Sequence, residues 1–238
     1  MTDHALLDNR SHAELRVRTE RSTELGDGLM SCLTVPSEFR QVQNEYVILF
    51  RLDTSRDAFT ALALFGFATG ENLFLDGGRW DARYVPLVMA VQPFLIGTAA
   101  PGAEAKQVHV DLDSPRLGER DGVRLFDEHG RPTPFLEDVA AKLGALDQGF
   151  TESGTFLDAV RRHDLLEPMT LEIPLDDGST NRLVGFHVID EGRLSELHAD
   201  ALGELHEQGH LLPIFMALAS LSNIGSLVAR KNRRAPHG

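Results

Sequence analysis

Five residues of this chain spell a known chemistry: His206-Glu207-Gln208-Gly209-His210 matches H-E-x-x-H letter for letter. On a continuous helix, residues four apart share a face. The two imidazoles would then bind Zn²⁺ and Glu207 would serve as general base. Three features of the sequence oppose that reading. With ten His and seventeen Glu among 238 residues, chance supplies the pattern about 0.03 times. Gly209 lies between the histidines, where a glycine marks a helix end, and Pro213 is placed to open another helix. No Asp or Glu follows His210, so a third ligand would have to come from upstream: Asp190, Glu191, His198 or Asp200. His206 and His210 stand as a weak metal alternative only.

A second group differs in kind. Trp80-Asp81-Ala82-Arg83-Tyr84 places the only Trp, an Arg and one of two Tyr within five residues, beside the Gly77-Gly78 turn. Such residues combine apolar area with fixed donors and recur in binding surfaces. The structural alternative is a buried corner in which Arg83 pairs with a carboxylate such as Glu38 or Glu71. The candidate ligand- or partner-binding residues are Trp80, Arg83, Tyr84, Glu38, Glu71 and Asn72. His109 and His187 sit in strand patterns and read as solvent-facing strand histidines, a facing metal pair being the sharper option. The single cysteine, Cys32, reads as a packed thiol. Asp111/Asp113 and Asp176/Asp177 suit turns, where Asp bonds its own backbone. No phosphate loop, dinucleotide fingerprint or G-x-S-x-G nucleophile elbow is present, so no cofactor is expected.

The elements that must hold these residues follow from periodicity. Residues 46–52, 59–67, 72–75, 107–112 and 123–126 read as strands, and 86–93 as a short helix between prolines. Thr133-Pro134 opens a helix whose apolar positions Phe135, Val139, Leu143 and Leu146 continue to about His163, with a bend allowed at Gly149 and Gly154. Residues 169–175 and 183–189 form a hairpin across 176–179. Two helices close the chain, one capped by Asp200 and ending near Gly209. The other starts at Pro213, with Ile214, Leu218, Leu221, Ile224 and Val228 on one stripe. The fold class is α+β: a mostly antiparallel sheet with helices from the C-terminal half packed on it. Residues 1–28 read as a loosely ordered arm, 29–230 as a single domain and 231–238 as a basic flexible tail.

A net charge of −13 repels phosphate backbones, so nucleic acid is not an expected partner. The start of the chain lacks the cationic and apolar blocks of a signal peptide. Apolar runs such as 211–219 look too short to cross a bilayer. A cytoplasmic location without a membrane span is expected.

Several segments, in order, resemble the SapC family of bacterial proteins: His12-Ala-Glu-Leu-Arg-Val17, Val35-Pro-Ser-Glu-Phe39, Tyr46-Val-Ile-Leu-Phe50, Gly70-Glu-Asn-Leu-Phe-Leu-Asp76, Arg79-Trp-Asp-Ala-Arg-Tyr-Val-Pro86, Pro93-Phe94, Leu125-Phe-Asp127, Leu165-Leu-Glu-Pro-Met169 and Val188-Ile-Asp-Glu191 followed by Leu194. They cover roughly residues 12–230. Against the family pattern, His206 and His210 look like local substitutions around a structural Gly209. Ala90-Val91-Gln92 replaces an Arg-Arg-Tyr-like stretch, which weakens any ligand chemistry placed there. The resemblance implies a surface-array (S-layer) transport context. It also implies loci with TonB-dependent receptors, flavin-dependent halogenase-like proteins and cupin-type oxygenases, and it supplies no catalytic residues.

The expected function is a binding or adaptor protein of an envelope-linked uptake, surface-polymer or secretion pathway, more a binder than an enzyme. Its partners would be proteins of that pathway, a halogenase-like or cupin-type protein among them. The alternatives are a metal-dependent hydrolase or oxygenase-like enzyme acting with such partners, and a small-molecule sensor with an apolar cavity.

Overall fold

The computed structural model describes residues 3–98, 106–176 and 178–234. In chain order the strands are β1 (His4–Leu6), β2 (Arg16–Val17), β3 (Ser31–Leu33), β4 (Val47–Asp53), β5 (Ala58–Leu64), β6 (Leu75–Asp76), β7 (Arg79–Trp80), β8 (Phe94–Thr98), β9 (Lys106–Asp111), β10 (Leu117–Gly118), β11 (Val123–Arg124), β12 (Leu166–Pro174) and β13 (Thr180–Ile189). The helices are α1 (Phe39–Val42), α2 (Leu87–Ala90), α3 (Pro134–Arg162), α4 (Glu191–Ser195), α5 (Ala199–Glu207), α6 (Leu211–Ser220) and α7 (Asn223–Arg234). The chain is an α+β protein with antiparallel sheets.

Its contacts separate into two units. The first comprises Met1–Gly28, Leu75–Asp81 and Leu87–Gln148; the second comprises Leu29–Phe74, Ala82–Pro86 and Gly149–Gly238. This differs from the expected arm, single domain and tail. Residues 4–6 form β1, the outer strand of the antiparallel sheet β1-β9-β8, and β2 lies between β10 and β11. Strands of two or three residues leave no periodicity to detect, so the N-terminal stretch reads as irregular from its polar composition alone. Within the first unit, Asp27 is fully buried against Arg116, itself 2% exposed, with 2.5 Å between carboxylate and guanidinium. Arg116 also donates to the carbonyls of Glu20 (3.0 Å) and Arg18 (3.3 Å), and Arg21 donates to Asp27 at 3.1 Å. These bonds occupy both terminal nitrogens of Arg116, which a buried pair requires, while its Nε is buried without a partner among the described residues. The strand expected at 72–75 is instead the hairpin β6–β7 across Gly77-Gly78.

The second unit is built on the sheet β12-β13-β4-β5-β3. Val47, Ile48, Leu49 and Phe50 of β4 are all buried, as expected for a central strand covered on both faces. In β12, Ile173 is buried and Met169 and Leu171 are half-buried, while Thr170, Glu172 and Pro174 are exposed, the alternation expected of a sheet facing a core on one side. A bulge between Met169 and Leu171 interrupts the register with β13. Helix α6 packs on β4 and β13. Phe39 and Phe50 pack against Phe156 with ring centroids 5.9 and 6.4 Å apart.

The long helix α3 is unbroken through Gly149 and Gly154. At Gly149, a Cβ would lie 2.6 Å from Val35 Cγ2, so the glycine permits close approach of the 35–37 segment rather than a bend. At the C-terminus, Pro213 is the third residue of α6, and the chain turns at Leu221-Ser222 before α7. Taken together, 211–234 is long and apolar enough to cross a membrane by length and composition, with 22% of its most apolar stretch buried. The apolar run 211–219 is shorter than this stretch because small uncharged residues extend it toward the C-terminus. Its polar residues bind the second unit: Ser220 Oγ accepts from Ile48 N (2.9 Å), and Asn223 Nδ2 donates to the carbonyls of Gln43 (2.8 Å) and Tyr46 (3.0 Å).

Candidate functional site

Pro36–Glu38 forms a single 3₁₀ turn that leads into α1. At its third position Glu38 folds back over the turn's start, accepting from Val35 N (3.3 Å) and Thr34 Oγ1 (2.7 Å). This capping arrangement places a carboxylate in a site only 3% exposed. Its second oxygen accepts from the Tyr84 hydroxyl at 2.7 Å. Burial first, then the Glu38 carboxylate, push the Tyr84 phenol well above its usual range; the phenol stays a donor. Burial and Glu38 also raise the Cys32 thiol, so Cys32 is a packed, protonated thiol and a poor nucleophile.

The backbone around Tyr84 is held as firmly. Both oxygens of Glu45 accept from Arg83 N (2.9 and 3.1 Å), and one also accepts from Tyr84 N (3.2 Å). The Tyr46 hydroxyl donates to the Tyr84 carbonyl. Both tyrosines of the chain thus meet at one corner. Arg83 pairs with neither Glu38 nor Glu71, contrary to expectation. Glu38 already accepts from Thr34, Val35 and Tyr84, and Glu71 accepts from Phe67 N (2.8 Å) and pairs with Lys231. The Arg83 guanidinium is exposed and has no partner among the described residues. It borders an open depression of about 730 Å³ shared with Gln41, Asn44, Glu45 and Tyr84.

Glu71 and Asn72 form the other half of the candidate set. Asn72 is buried and its Oδ1 accepts from Phe74 N at 2.9 Å, an Asx turn. Arg234 donates to the carbonyls of Asn72 (2.9 Å) and Leu73 (3.2 Å), and the Arg230 guanidinium lies 4.5 Å from the Phe74 ring centre. The basic segment at the end of α7 is therefore a clasp on the 71–74 loop as far as Arg234; residues beyond it lie outside the described ones. Tyr46 joins the two halves, since its ring packs on Phe74 with centroids 4.6 Å apart. Trp80 falls in the first unit, on β7, whereas Glu38, Glu71, Asn72, Arg83 and Tyr84 belong to the second. Sequence reasoning missed Glu45, Tyr46, Arg230, Lys231 and Arg234. The scarcity of Tyr was the one signal that could have found Tyr46.

The H-E-x-x-H residues divide. Helix α5 ends at Glu207, Gly209 adopts φ +73°, and His210 begins the approach to α6. Gly209 N donates to His206 O (3.0 Å) and His210 N to Leu205 O (2.8 Å). These two bonds are a Schellman closure, which needs the left-handed conformation that glycine adopts without strain. The helical i, i+4 relation is lost: His206 is exposed and His210 is buried, with its ring 5.7 Å from that of Phe156. Among the described residues no three His, Cys, Asp or Glu side chains converge as metal ligands. Asp200 lies in the first turn of α5 rather than at its cap, which is His198. His187 and His109 are half-buried rather than solvent-facing: His187 packs edge-on to Phe59 at 4.9 Å, and the His109 ring covers Gly97. They lie on β13 and β9, in different sheets. Asp113 N donates to Asp111 Oδ1 at 3.1 Å, the turn expected there; Asp177 lies outside the described residues.

Compared with known proteins, the chain matches a family model described as SapC over residues 7–227. No curated protein and no solved structure matches it.

Proposed function

Because the chain belongs to the SapC family, we propose that it is a cytoplasmic binding or adaptor protein of an envelope-linked uptake, surface-polymer or secretion pathway. The observation that carries this reading is the presentation of Arg83. Its side chain is exposed and unpaired among the described residues, while its backbone is fixed by Glu45 and its neighbour Tyr84 by Glu38 and Tyr46. A guanidinium on a rigid support loses little entropy on docking, and Arg is enriched among the residues that dominate protein interfaces. Exposed Gln41 and Asn44 beside it give a polar surface suited to a carboxylate or carbonyl-rich patch on a protein partner. Partners of this kind include the halogenase-like and cupin-type proteins that the family context suggests.

The test is capture of partners from native extract by wild-type chain and by Arg83→Ala. The variant is expected to melt at the wild-type temperature, because the guanidinium supports no contact, and to lose the captured proteins. Capture of the same proteins by both chains would remove Arg83 from the interface and this reading with it.

A further inference from the structure

Helices α6 and α7 meet the second unit with one side only. α6 packs on β4 and β13, and Asn223 and Lys231 tie α7 to the 43–46 and 71–74 segments. On the other side Leu212, Phe215, Ala219, Ser222, Ser226 and Ala229 are exposed. Their spacing of three and four residues puts them on one stripe. The outer face of a helix on a folded chain normally carries charge. Here 25% of the chain is charged, yet no Asp, Glu, Lys or Arg occurs from 211 to 229. Leu212 and Phe215 are each 53% exposed. We propose that this face docks on the same face of a second copy of the chain, the two helical segments antiparallel about a twofold axis near Ser222.

Side-chain size along the stripe sets the direction. The bulky residues Leu212 and Phe215 lie at the α6 end and the small ones toward α7. Antiparallel pairing about Ser222 sets Phe215 over the partner's Ala229 and Ala219 over the partner's Ser226. Each projection then meets a recess, and the same contacts recur on both sides of the axis, as an isologous interface requires. Parallel pairing would set bulk against bulk and small against small, leaving voids over the α7 half. It would also put Arg233 beside the partner's Arg233, a like-charge contact.

Charge favours a second copy at this face over any other. Two chains of net charge −13 repel each other, and all 36 Asp and Glu residues precede position 208, so contact through 211–234 brings the fewest carboxylates together. In the antiparallel arrangement the exposed Arg233 reaches the start of the partner's α6, beside the exposed Glu207 that ends the preceding helix. A lipid surface fits less well. Ala and Ser over the α7 half would bury little apolar area in a bilayer, and Arg230, Lys231 and Arg234 are held against the 71–74 loop. The 24 residues of 211–234 make a face about 36 Å long and about 10 Å wide. Two such faces bury on the order of 1,000 Å² in all, at the lower edge of specific interfaces, so the pairing is of micromolar strength. It is independent of the partner role of Arg83, since the two surfaces share no residue.

Sedimentation velocity of the full chain from about 5 to about 300 µM tests the pairing. The chain is expected to pass from monomer to dimer over that range. Phe215→Glu and Ala229→Glu, at opposite ends of the stripe, are each expected to weaken association about tenfold or more, since each buries a charge in the interface. If one of them fails to fold, the other carries the test. Val184→Glu, at a 54% exposed position on β13, is expected to leave association unchanged. For direction, Ser222→Cys is expected to form a covalent dimer on mild oxidation and Leu212→Cys is not. A chain that stays monomeric throughout overturns the proposal. So does unchanged dimerisation in Phe215→Glu and Ala229→Glu, equal loss in Val184→Glu, or cross-linking of Leu212→Cys in preference to Ser222→Cys. Binding of a monomeric chain to phosphatidylglycerol vesicles, abolished by Phe215→Glu, would overturn it in favour of a lipid surface.

Discussion

At the scale of single residues, Glu38 does the most. One carboxylate closes a 3₁₀ turn, accepts the Thr34 hydroxyl and receives the Tyr84 phenol. Because it is almost wholly buried, each of its hydrogen bonds replaces water that cannot reach it. Tyr84→Phe is expected to lower stability by about 1–3 kcal/mol, the cost of leaving a buried acceptor short of a donor. Urea unfolding of the variant measures it, and an unchanged midpoint would show that Glu38 finds another donor. Much of this corner was visible beforehand, because Trp, Arg and Tyr are conspicuous when crowded together. The grouping was misleading for Trp80, which falls in the other unit, and silent on Glu45, 38 residues before Arg83. Only a fold brings a carboxylate to an amide at that separation.

At the scale of elements, two glycines within and beyond long helical patterns mean different things. Gly209 ends α5 by its left-handed conformation, and this could be read directly from a glycine followed by a proline. Gly149 was read as a place for a bend, yet α3 runs through it, because its missing Cβ admits Val35 and Ser37. The pattern of a helix does not say what packs against its small residues. Paired substitutions separate the effects. Gly149→Ala is expected to destabilise by about 1–3 kcal/mol through overpacking. Gly144→Ala on the same helix, with no atom within 4 Å of the added Cβ, is expected to stabilise by about 0.4–1 kcal/mol. Thermal denaturation of both variants tests the pair, and equal effects would reject the packing argument. At α7, a basic run that composition assigns to solvent closes on Glu71, on Phe74 and on two carbonyls of the 72–73 backbone.

At the scale of the whole molecule, stability depends on pH through histidines that folding keeps neutral. Burial holds His187 below the ordinary imidazole value. Burial also lowers His210, aided by the positive charge of Arg162 and opposed by Glu204. Between those depressed values and the unfolded value near 6.5, the unfolded chain binds more protons than the folded one. This contribution is therefore fully present above about pH 6.5 and is lost as the pH falls toward the folded values. The urea midpoint is expected to fall between about pH 7 and about pH 5.5. The fall should be smaller in His187→Gln, and an equal fall in that variant would assign the pH dependence to other groups.

Composition and periodicity by themselves determined the α+β class, the long helix from Pro134, the hairpin near 166–189 and the break between His206 and His210. Each rests on forces acting within a few residues: alternation, helical spacing, a proline's fixed φ and a glycine's access to positive φ. Ordered segments spread along the chain were enough to indicate the SapC family. Tertiary structure alone decided that the first 28 residues join strands and a buried ion pair, that the basic end of α7 is a clasp, and that Arg83 is left unpaired. Those outcomes depend on which carboxylates and carbonyls lie nearby in space, and charges separated by up to 160 positions in sequence carry no local mark of their partner.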